Sequence, residues 1–140
     1  MRESRWEAVD PRAPLLDYLR MSAHAQPLAL PSATARAAAT SLSLLADDTR
    51  LKILWALIQG EYHVNALADL IGAKPPAVSQ HLGKLRIAGM VAVRRAGTYA
   101  YYSVCDDHIS RIVSLLVEHT SEELAIQQQA KAIRRSTVPS

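Results

Sequence analysis

Apolar and polar positions in the middle of the chain follow a pattern that predicts three successive helices. After the acidic cap cluster 47–49, closely spaced apolar residues indicate a strongly hydrophobic helix that ends at Gly60. A brief helix follows and ends at Gly72. The third helix begins at Lys74, with prolines in its first turn where they do no harm, and ends at Gly89. Two short helices joined by a glycine turn predict a helix-turn-helix.

The third predicted helix has two distinct faces. Its apolar positions Val78, Leu82 and Leu85 are expected to point inward. The polar positions, which suit base edges and phosphates in a major groove, are Ser79, Gln80, His81 and Lys84, with Lys74 at the start of the helix. An ordinary solvated helix face is the alternative interpretation of the same residues.

The segment after this helix predicts a β-hairpin. Two β-prone runs, 90–95 and 98–104, are separated by Ala96 and Gly97. Arg94 and Arg95 are expected at the tip, where a basic hairpin can lie along phosphates or enter a minor groove. A helix-turn-helix followed by such a hairpin predicts a mainly α winged-helix fold.

The flanking segments predict a three-part organisation. Residues 1–30 are expected to form an arm with a short helix near 11–21. The folded domain is assigned to residues 31–128 and opens with an alanine-rich helix over Ser32–Leu45, which could flank the last helix in a dimer. Residues 129–140 are expected to form a frayed, solvated tail.

Charge makes a nucleic-acid partner possible without demonstrating one. The chain of 140 residues is long enough for one domain. Its formal charge is +3 and its pI is near 9.2. No Asp or Glu occurs between Leu70 and Cys105. The basic residues inside that window are Lys74, Lys84, Arg86, Arg94 and Arg95. The basic surface is therefore local.

Other features of the composition narrow the function classes. The single cysteine, Cys105, excludes an intramolecular disulfide and is expected to be a small buried apolar residue at a strand end. No long apolar run or signal sequence is present, which predicts a cytoplasmic protein without a membrane partner. The motifs suggest no pair of nucleophile and base, so an enzyme or a zinc carrier is disfavoured.

A set of possible metal ligands lies in the long amphipathic segment near the C-terminus. His108 and His119 are eleven positions apart and Glu122 follows one turn later, so the three share a helix face with Ile112 and Leu115. The two histidines would lie roughly 16 Å apart along one helix, whereas zinc binds nitrogen at about 2 Å. One copy of the helix therefore cannot join them on a single ion.

Two antiparallel copies of the helix would solve this geometry, because His108 of one chain would then lie opposite His119 and Glu122 of the other. Asp106 can join His108 only from the non-helical N-cap position, which Asp favours. Two imidazoles and two carboxylates suit Zn(II), although Co(II) and Ni(II) are also accepted. Alternatively, Asp106 or Asp107 only caps the helix, and His119 with Glu122 forms a solvated pair on its outer face.

Three stretches resemble the ArsR/SmtB family of metal-responsive repressors, and the resemblance spans roughly residues 41–123. They are the run 44–54, the helix 78–85 and the Arg-Ala-Gly sequence of the hairpin. The final helix resembles the zinc-sensor subgroup of that family. Its pattern of D-x-H, ten residues and H-x-x-E/H is met by Asp106, His108, His119 and Glu122.

The resemblance implies a homodimer, held by its N- and C-terminal helices, that binds operator DNA with inverted repeats and leaves it when metal fills intersubunit sites. It also implies that His119 donates to a main-chain carbonyl near Gly89, linking metal to DNA binding. A thiolate site of some relatives is missing, since residues 63–67 contain no cysteine and His63 is interpreted as structural.

Two alternatives stay open at this stage. A nickel or cobalt sensor would need further ligands from the tails, for which His24 is the one spare histidine outside the folded body. Glu122 in place of a histidine favours four-coordinate zinc instead. A metal-independent regulator would keep the DNA-binding fold and use the last helix only to hold the dimer together.

Overall fold

The computed structural model describes residues 29–137, so the helix expected near 11–21 lies outside the described residues. Five helices and two strands occur in this range. In chain order they are α1 (Ser32–Leu45), α2 (Asp48–Gln59), α3 (Val64–Ile71), α4 (Pro75–Ile87), β1 (Val91–Ala96), β2 (Tyr99–Val104) and α5 (Asp107–Ser136). This order confirms the predicted helix-turn-helix, hairpin and long final helix.

The chain divides into two compact units, Met1–Ala38 and Ala39–Ser140. The described part of the first unit is residues 29–38, which contain the beginning of α1. The second unit contains the rest of α1 and every other described element. The predicted helix over Ser32–Leu45 is confirmed at both ends.

Side-chain caps explain where α2 and α3 begin. The Asp47 carboxylate accepts a hydrogen bond from the Arg50 backbone N–H at 2.9 Å, and this bond is the main reason that the pKa of Asp47 is lowered. His63 caps α3 in the same way, accepting from the Ala66 N–H through Nδ1 at 3.3 Å. The structural interpretation of His63 is thereby confirmed. Gly72 then ends α3 with a φ of 69°, in the left-handed region that favours glycine.

The hydrophobic core lies where α2, α3, α4 and the start of α5 meet. Buried residues with essentially no exposed surface are Ile53, Leu54, Leu67, Val78, Leu82, Leu85 and Val113. The three inward positions expected in α4 are among them, which confirms the predicted face. Burying these side chains fixes the position of α4 and therefore the direction in which its polar side chains point.

The hairpin β1–β2, called the wing below, turns one residue later than expected. Ala96 pairs with Tyr99, so the two-residue turn consists of Gly97 and Thr98 and not of Ala96 and Gly97. Gly97 has a φ of 60°, which two-residue hairpin turns require at this position. The residues before α3 join the wing through a bridge between Tyr62 and Tyr102.

Helix α5 extends well beyond the core. Its 30 residues correspond to a length of about 45 Å, but only Ile109 and Val113 are buried. The helix continues to Ser136, past the boundary predicted at residue 128. Large apolar side chains on its exposed surface are Ile112, Leu115, Leu116, Leu124, Ile126 and Ile133. Neither α5 nor any other helix within residues 29–137 is long and apolar enough to cross a membrane.

Candidate DNA-binding surface and metal-ligand residues

The polar face of α4, formed by Ser79, Gln80, His81 and Lys84, lies directly above the core. Ser79, Gln80 and Lys84 are exposed, while the interleaved apolar residues of the helix are fully buried. Lys74 is the N-cap residue and is exposed, without a side-chain capping bond. A basic residue outside the predicted set, Arg86, is also exposed near the end of the helix. Together these side chains can donate to phosphates and base edges.

His81 departs from the prediction that the whole polar face is left to solvent. It is half-buried, and its Nδ1 lies 3.3 Å from Nη1 of Arg50 in α2. His81 is half-buried because the α2 N-terminus packs beside α4, and Arg50 reaches the imidazole from there. Arg50 was missed because it is 31 residues away in sequence.

The two arginines of the wing have different environments. Arg94 forms an ion pair with Glu61, with 2.7 Å between Nη2 and Oε2, and its guanidinium lies over the Tyr101 ring at 5.1 Å. The hydrogen bond from Arg94 lowers the pKa of Glu61, and the same bond raises the pKa of Arg94. Arg95 is exposed and makes no ion pair among residues 29–137. Arg95 is therefore the wing arginine that is free to meet a phosphate.

An aromatic cluster supports the wing near its turn, where Tyr99 is the first residue of β2. The His63 ring lies 4.8 Å from the Tyr99 ring and 5.8 Å from the Tyr101 ring. His63 thus caps α3 and packs against β2 at the same time, which joins the helix-turn-helix to the wing. Glu61 was also missed from sequence, because its partner Arg94 is 33 residues away.

Asp106 and His108 form the first half of the predicted ligand set. Asp106 caps α5, accepting from the His108 N–H at 2.9 Å and from the Ile109 N–H at 3.3 Å, which confirms the predicted N-cap position. The carboxylate Oδ1 also lies 3.4 Å from His108 Nδ1, and the His108 side chain is 87% exposed. One carboxylate and one imidazole are therefore held together at the surface.

His119 and Glu122 lie on α5, away from the first pair. His119 Nε2 is 3.7 Å from Oε2 of Glu123, the residue next to the predicted ligand, and its side chain is 67% exposed. Glu122 is exposed as well. Among residues 29–137 no three His, Cys, Asp or Glu side chains come together in one chain to hold a metal ion. The single chain therefore presents two separate pairs of acidic and imidazole groups.

Gly89 and Cys105 meet between α4 and the wing. The Cys105 thiol donates to the Gly89 carbonyl at 3.2 Å, and Cys105 is exposed. The expectation of a buried cysteine was wrong, because β2 ends just before this residue and the chain leaves the core there. Within the described chain, no hydrogen bond joins His119 to Gly89.

Comparison with known proteins places the chain in a family. Residues 47–93, from the α2 cap to β1, match the model described as "Bacterial regulatory protein, arsR family". The "Transcriptional repressor SmtB homolog" of Synechocystis sp. is 33% identical over 107 residues, covering 76% of this chain and 81% of that protein. This chain belongs to the ArsR family. KmtR of Mycobacterium tuberculosis, an "HTH-type transcriptional regulator", is 46% identical over 70 residues, but the match spans half of this chain and 54% of KmtR.

Solved structures agree with the ArsR assignment. The crystal structure of the AntR antimony-specific transcriptional repressor has a TM-score of 0.62 at 32% identity, covering 72% of this chain and 94% of AntR. A homodimeric winged helix-turn-helix DNA-binding domain from Mycobacterium bovis has a TM-score of 0.57 at 29% identity, covering 85% of this chain and 93% of that fragment. This ArsR family chain thus has the fold of a DNA-binding regulator and not of an enzyme.

Proposed function

We propose that this ArsR family protein is a zinc-responsive repressor: a homodimer that binds an operator with an inverted repeat and leaves it when Zn(II) binds between its subunits. The observation that carries the proposal is the exposed pair of Asp106 and His108 at the start of α5. Two candidate ligands held at the surface, with no third beside them among residues 29–137, suit an ion shared with another copy.

Support for the DNA-binding part comes from the polar face of α4 and the free Arg95. Short polar side chains on a rigidly packed helix match the chemistry of a major groove, and an exposed wing arginine matches phosphate or a minor groove. A dimer with two-fold symmetry places two copies of α4 on DNA, so the favoured operator has two inverted half-sites.

Support for the metal part comes from the donor atoms. His108 and His119 supply imidazole nitrogens, and Asp106 and Glu122 supply carboxylate oxygens, a set that fits four-coordinate zinc. A bound ion would supply a fixed positive charge between the subunits. The apolar Ile112 and Leu115, exposed between the two pairs of ligands, are suited to contact the second copy. A solved relative, AntR, is itself described as an antimony-specific repressor.

The identity of the last ligand can be tested directly. Glu122 is three residues after His119 and Glu123 is four residues after it, so both are neighbours of His119 on the helix. The proposal assigns Glu122, while Glu123 is the residue that contacts His119 within one chain. Glu122→Gln is therefore expected to weaken zinc binding about tenfold or more, and Glu123→Gln is the matched control. If Glu123→Gln weakened zinc binding and Glu122→Gln did not, the last ligand would be Glu123.

Coupling between the two surfaces is assigned to His119 and Gly89. Gly89 follows α4 directly, so a hydrogen bond to its carbonyl would act at the end of the DNA-binding helix. The Cys105 thiol already donates to this carbonyl, but a carbonyl oxygen has two lone pairs and accepts a second bond. The role of His119 is to donate from its ring nitrogen that faces away from the metal.

The decisive experiment compares operator affinity with and without zinc. Operator DNA is selected from a random library by the metal-free protein, and binding is followed by fluorescence anisotropy. Wild-type protein is expected to lose affinity about tenfold to hundredfold when zinc is added. Asp106→Asn removes one carboxylate but keeps an N-cap that is equally favourable, so it should bind DNA normally and lose the zinc response.

An unchanged operator affinity of the wild-type protein in zinc would contradict the proposal and leave a regulator whose last helix only holds the dimer together. Spectra of the Co(II) form test the coordination. Intense visible bands indicate four ligands, as the proposal requires, and weak bands indicate the six-coordinate site of a nickel or cobalt sensor.

A further inference from the structure

Arg50 occupies an unusual position between three elements. It belongs to the first turn of α2, and its side chain is only 12% exposed. Its Nε donates to the Leu44 carbonyl at the end of α1, and its Nη1 lies 3.9 Å from Asp47 Oδ2. The same Nη1 lies 3.3 Å from Nδ1 of His81 on the polar face of α4. A partly buried charge is thus held in place beside a half-buried imidazole of the helix assigned to DNA.

The chemistry of this contact decides where the proton of His81 sits. A guanidinium group has only donors and does not lose its proton in proteins, so it cannot accept a hydrogen bond from the imidazole. His81 Nδ1 must therefore be the acceptor. A neutral imidazole with an unprotonated Nδ1 carries its proton on Nε2.

The second nitrogen of the ring is accessible. Among residues 29–137 no buried side-chain nitrogen or oxygen lacks a hydrogen-bond partner, and the one hydrogen bond of the His81 ring is made by Nδ1. Nε2, which has no hydrogen-bond partner in the described part of the chain, must then reach solvent. His81 belongs to the polar face of α4 that also carries Gln80 and Lys84.

We propose that Arg50 is a positioning residue for DNA recognition, holding His81 as an Nε2–H donor toward the operator. The inference rests on the proposed role of α4 in DNA binding, but it does not depend on the zinc response. A donor at this position selects acceptors in the major groove, above all N7 and O6 of guanine. The other tautomer would present an acceptor and favour the amino groups of cytosine or adenine. Arg50 therefore helps to specify a base without touching DNA.

The first test measures the tautomer in the free protein. Two-bond ¹⁵N–¹H correlation spectra of the neutral imidazole distinguish the two forms by the ring nitrogen that carries the proton. Wild-type His81 is expected as the Nε2–H tautomer alone, and Arg50→Met should populate the Nδ1–H form as well. A wild-type ring protonated on Nδ1, or a tautomer that Arg50→Met leaves unchanged, would overturn the inference. A residue that only stabilised the fold would not alter this spectrum.

The second test measures operator binding without zinc. Arg50→Met is expected to weaken binding about tenfold, and this loss should vanish in a His81→Ala background because the two residues act through one contact. Additive losses would contradict the inference.

Two variants keep Arg50 and so avoid any folding defect from its loss. His81→Gln places an amide donor where Nε2 lies and should bind within a few-fold of wild type, whereas His81→Asn keeps only the position of Nδ1 and should lose about tenfold. Equal losses for both would also overturn the inference. A wild-type protein that binds its operator but ignores zinc would defeat the proposed metal response and leave this inference standing.

Discussion

Helices α4 and α5 both carry a polar face with candidate functional residues. A single chain buries the apolar side of α4 but leaves most of the apolar side of α5 exposed. In α4 the apolar residues Val78, Leu82 and Leu85 are fully buried beneath the polar face. In α5 only two residues of 30 are buried, and the face that carries the candidate ligands also exposes Ile112 and Leu115. Both helices are amphipathic, but they differ in how much of the apolar face is buried within one chain.

The difference explains why the proposed metal site requires a second copy of the chain. A DNA-binding helix must be rigid before it meets its partner, and α4 obtains this rigidity from the core of its own chain. The candidate ligands on α5 lie in separate pairs within one chain, because eleven positions along a helix hold its two histidines far apart. If α4 depends on its own chain and α5 on another, substitutions in α4 should alter folding and substitutions in α5 should alter assembly.

Removing a core residue beneath α4 should have the largest effect. Leu82→Ala deletes a side chain with no exposed surface and leaves a cavity, so the free energy of unfolding should fall by about 2–5 kcal/mol. Urea denaturation followed by circular dichroism measures the change. Ile87→Ala, at the end of the same helix and 91% exposed, is the control and should cost less than about 1 kcal/mol. Similar losses for the two variants would show that α4 is not supported as described.

A charge on the exposed face of α5 should act on assembly and leave the fold intact. Leu115→Lys is expected to weaken the dimer by about 2 kcal/mol, roughly thirtyfold in its dissociation constant. Sedimentation equilibrium measures this constant. Leu124→Lys is the matched control, because nine residues place it on the opposite side of the helix. If the two variants weakened the dimer equally, the ligand-bearing face would not be the one between subunits.

Local features of the fold were predictable because they depend on neighbours in sequence. The helix over Ser32–Leu45, the caps Asp47 and Asp106 and the buried face of α4 follow from residue spacing and capping chemistry. The ArsR family was also recognisable, from the sequences of the DNA-binding helix and the hairpin, and the match over residues 47–93 confirms it.

Features that depend on contacts between distant segments were missed. The pairs Arg50–His81 and Glu61–Arg94 join residues 31 and 33 positions apart, and no periodic pattern encodes either pair. The hairpin turn was placed one residue early because Ala96 continues the β1 pairing up to Gly97. The ligand set stays a prediction, since its completion depends on a second chain.

The smallest effect is expected at the wing, whose exposed ion pair already has both partners in one chain. The pKa of Glu61 is lowered from its ordinary value of 4.5, mainly by the hydrogen bond from Arg94. A carboxylate whose pKa is lowered by folding stabilises the folded state at every pH above its ordinary pKa. This contribution is lost as the pH falls through the lowered pKa. The two side chains are 57% and 43% exposed, so solvent and salt screen the pair and its contribution is small.

Thermal unfolding at neutral pH and at a pH of about 3 measures the contribution of the Glu61–Arg94 pair to stability. Glu61→Gln should melt slightly below wild type at neutral pH, and the difference should shrink in acid or in high salt. A difference that persisted in acid would mean that Glu61 acts through packing and not through its charge.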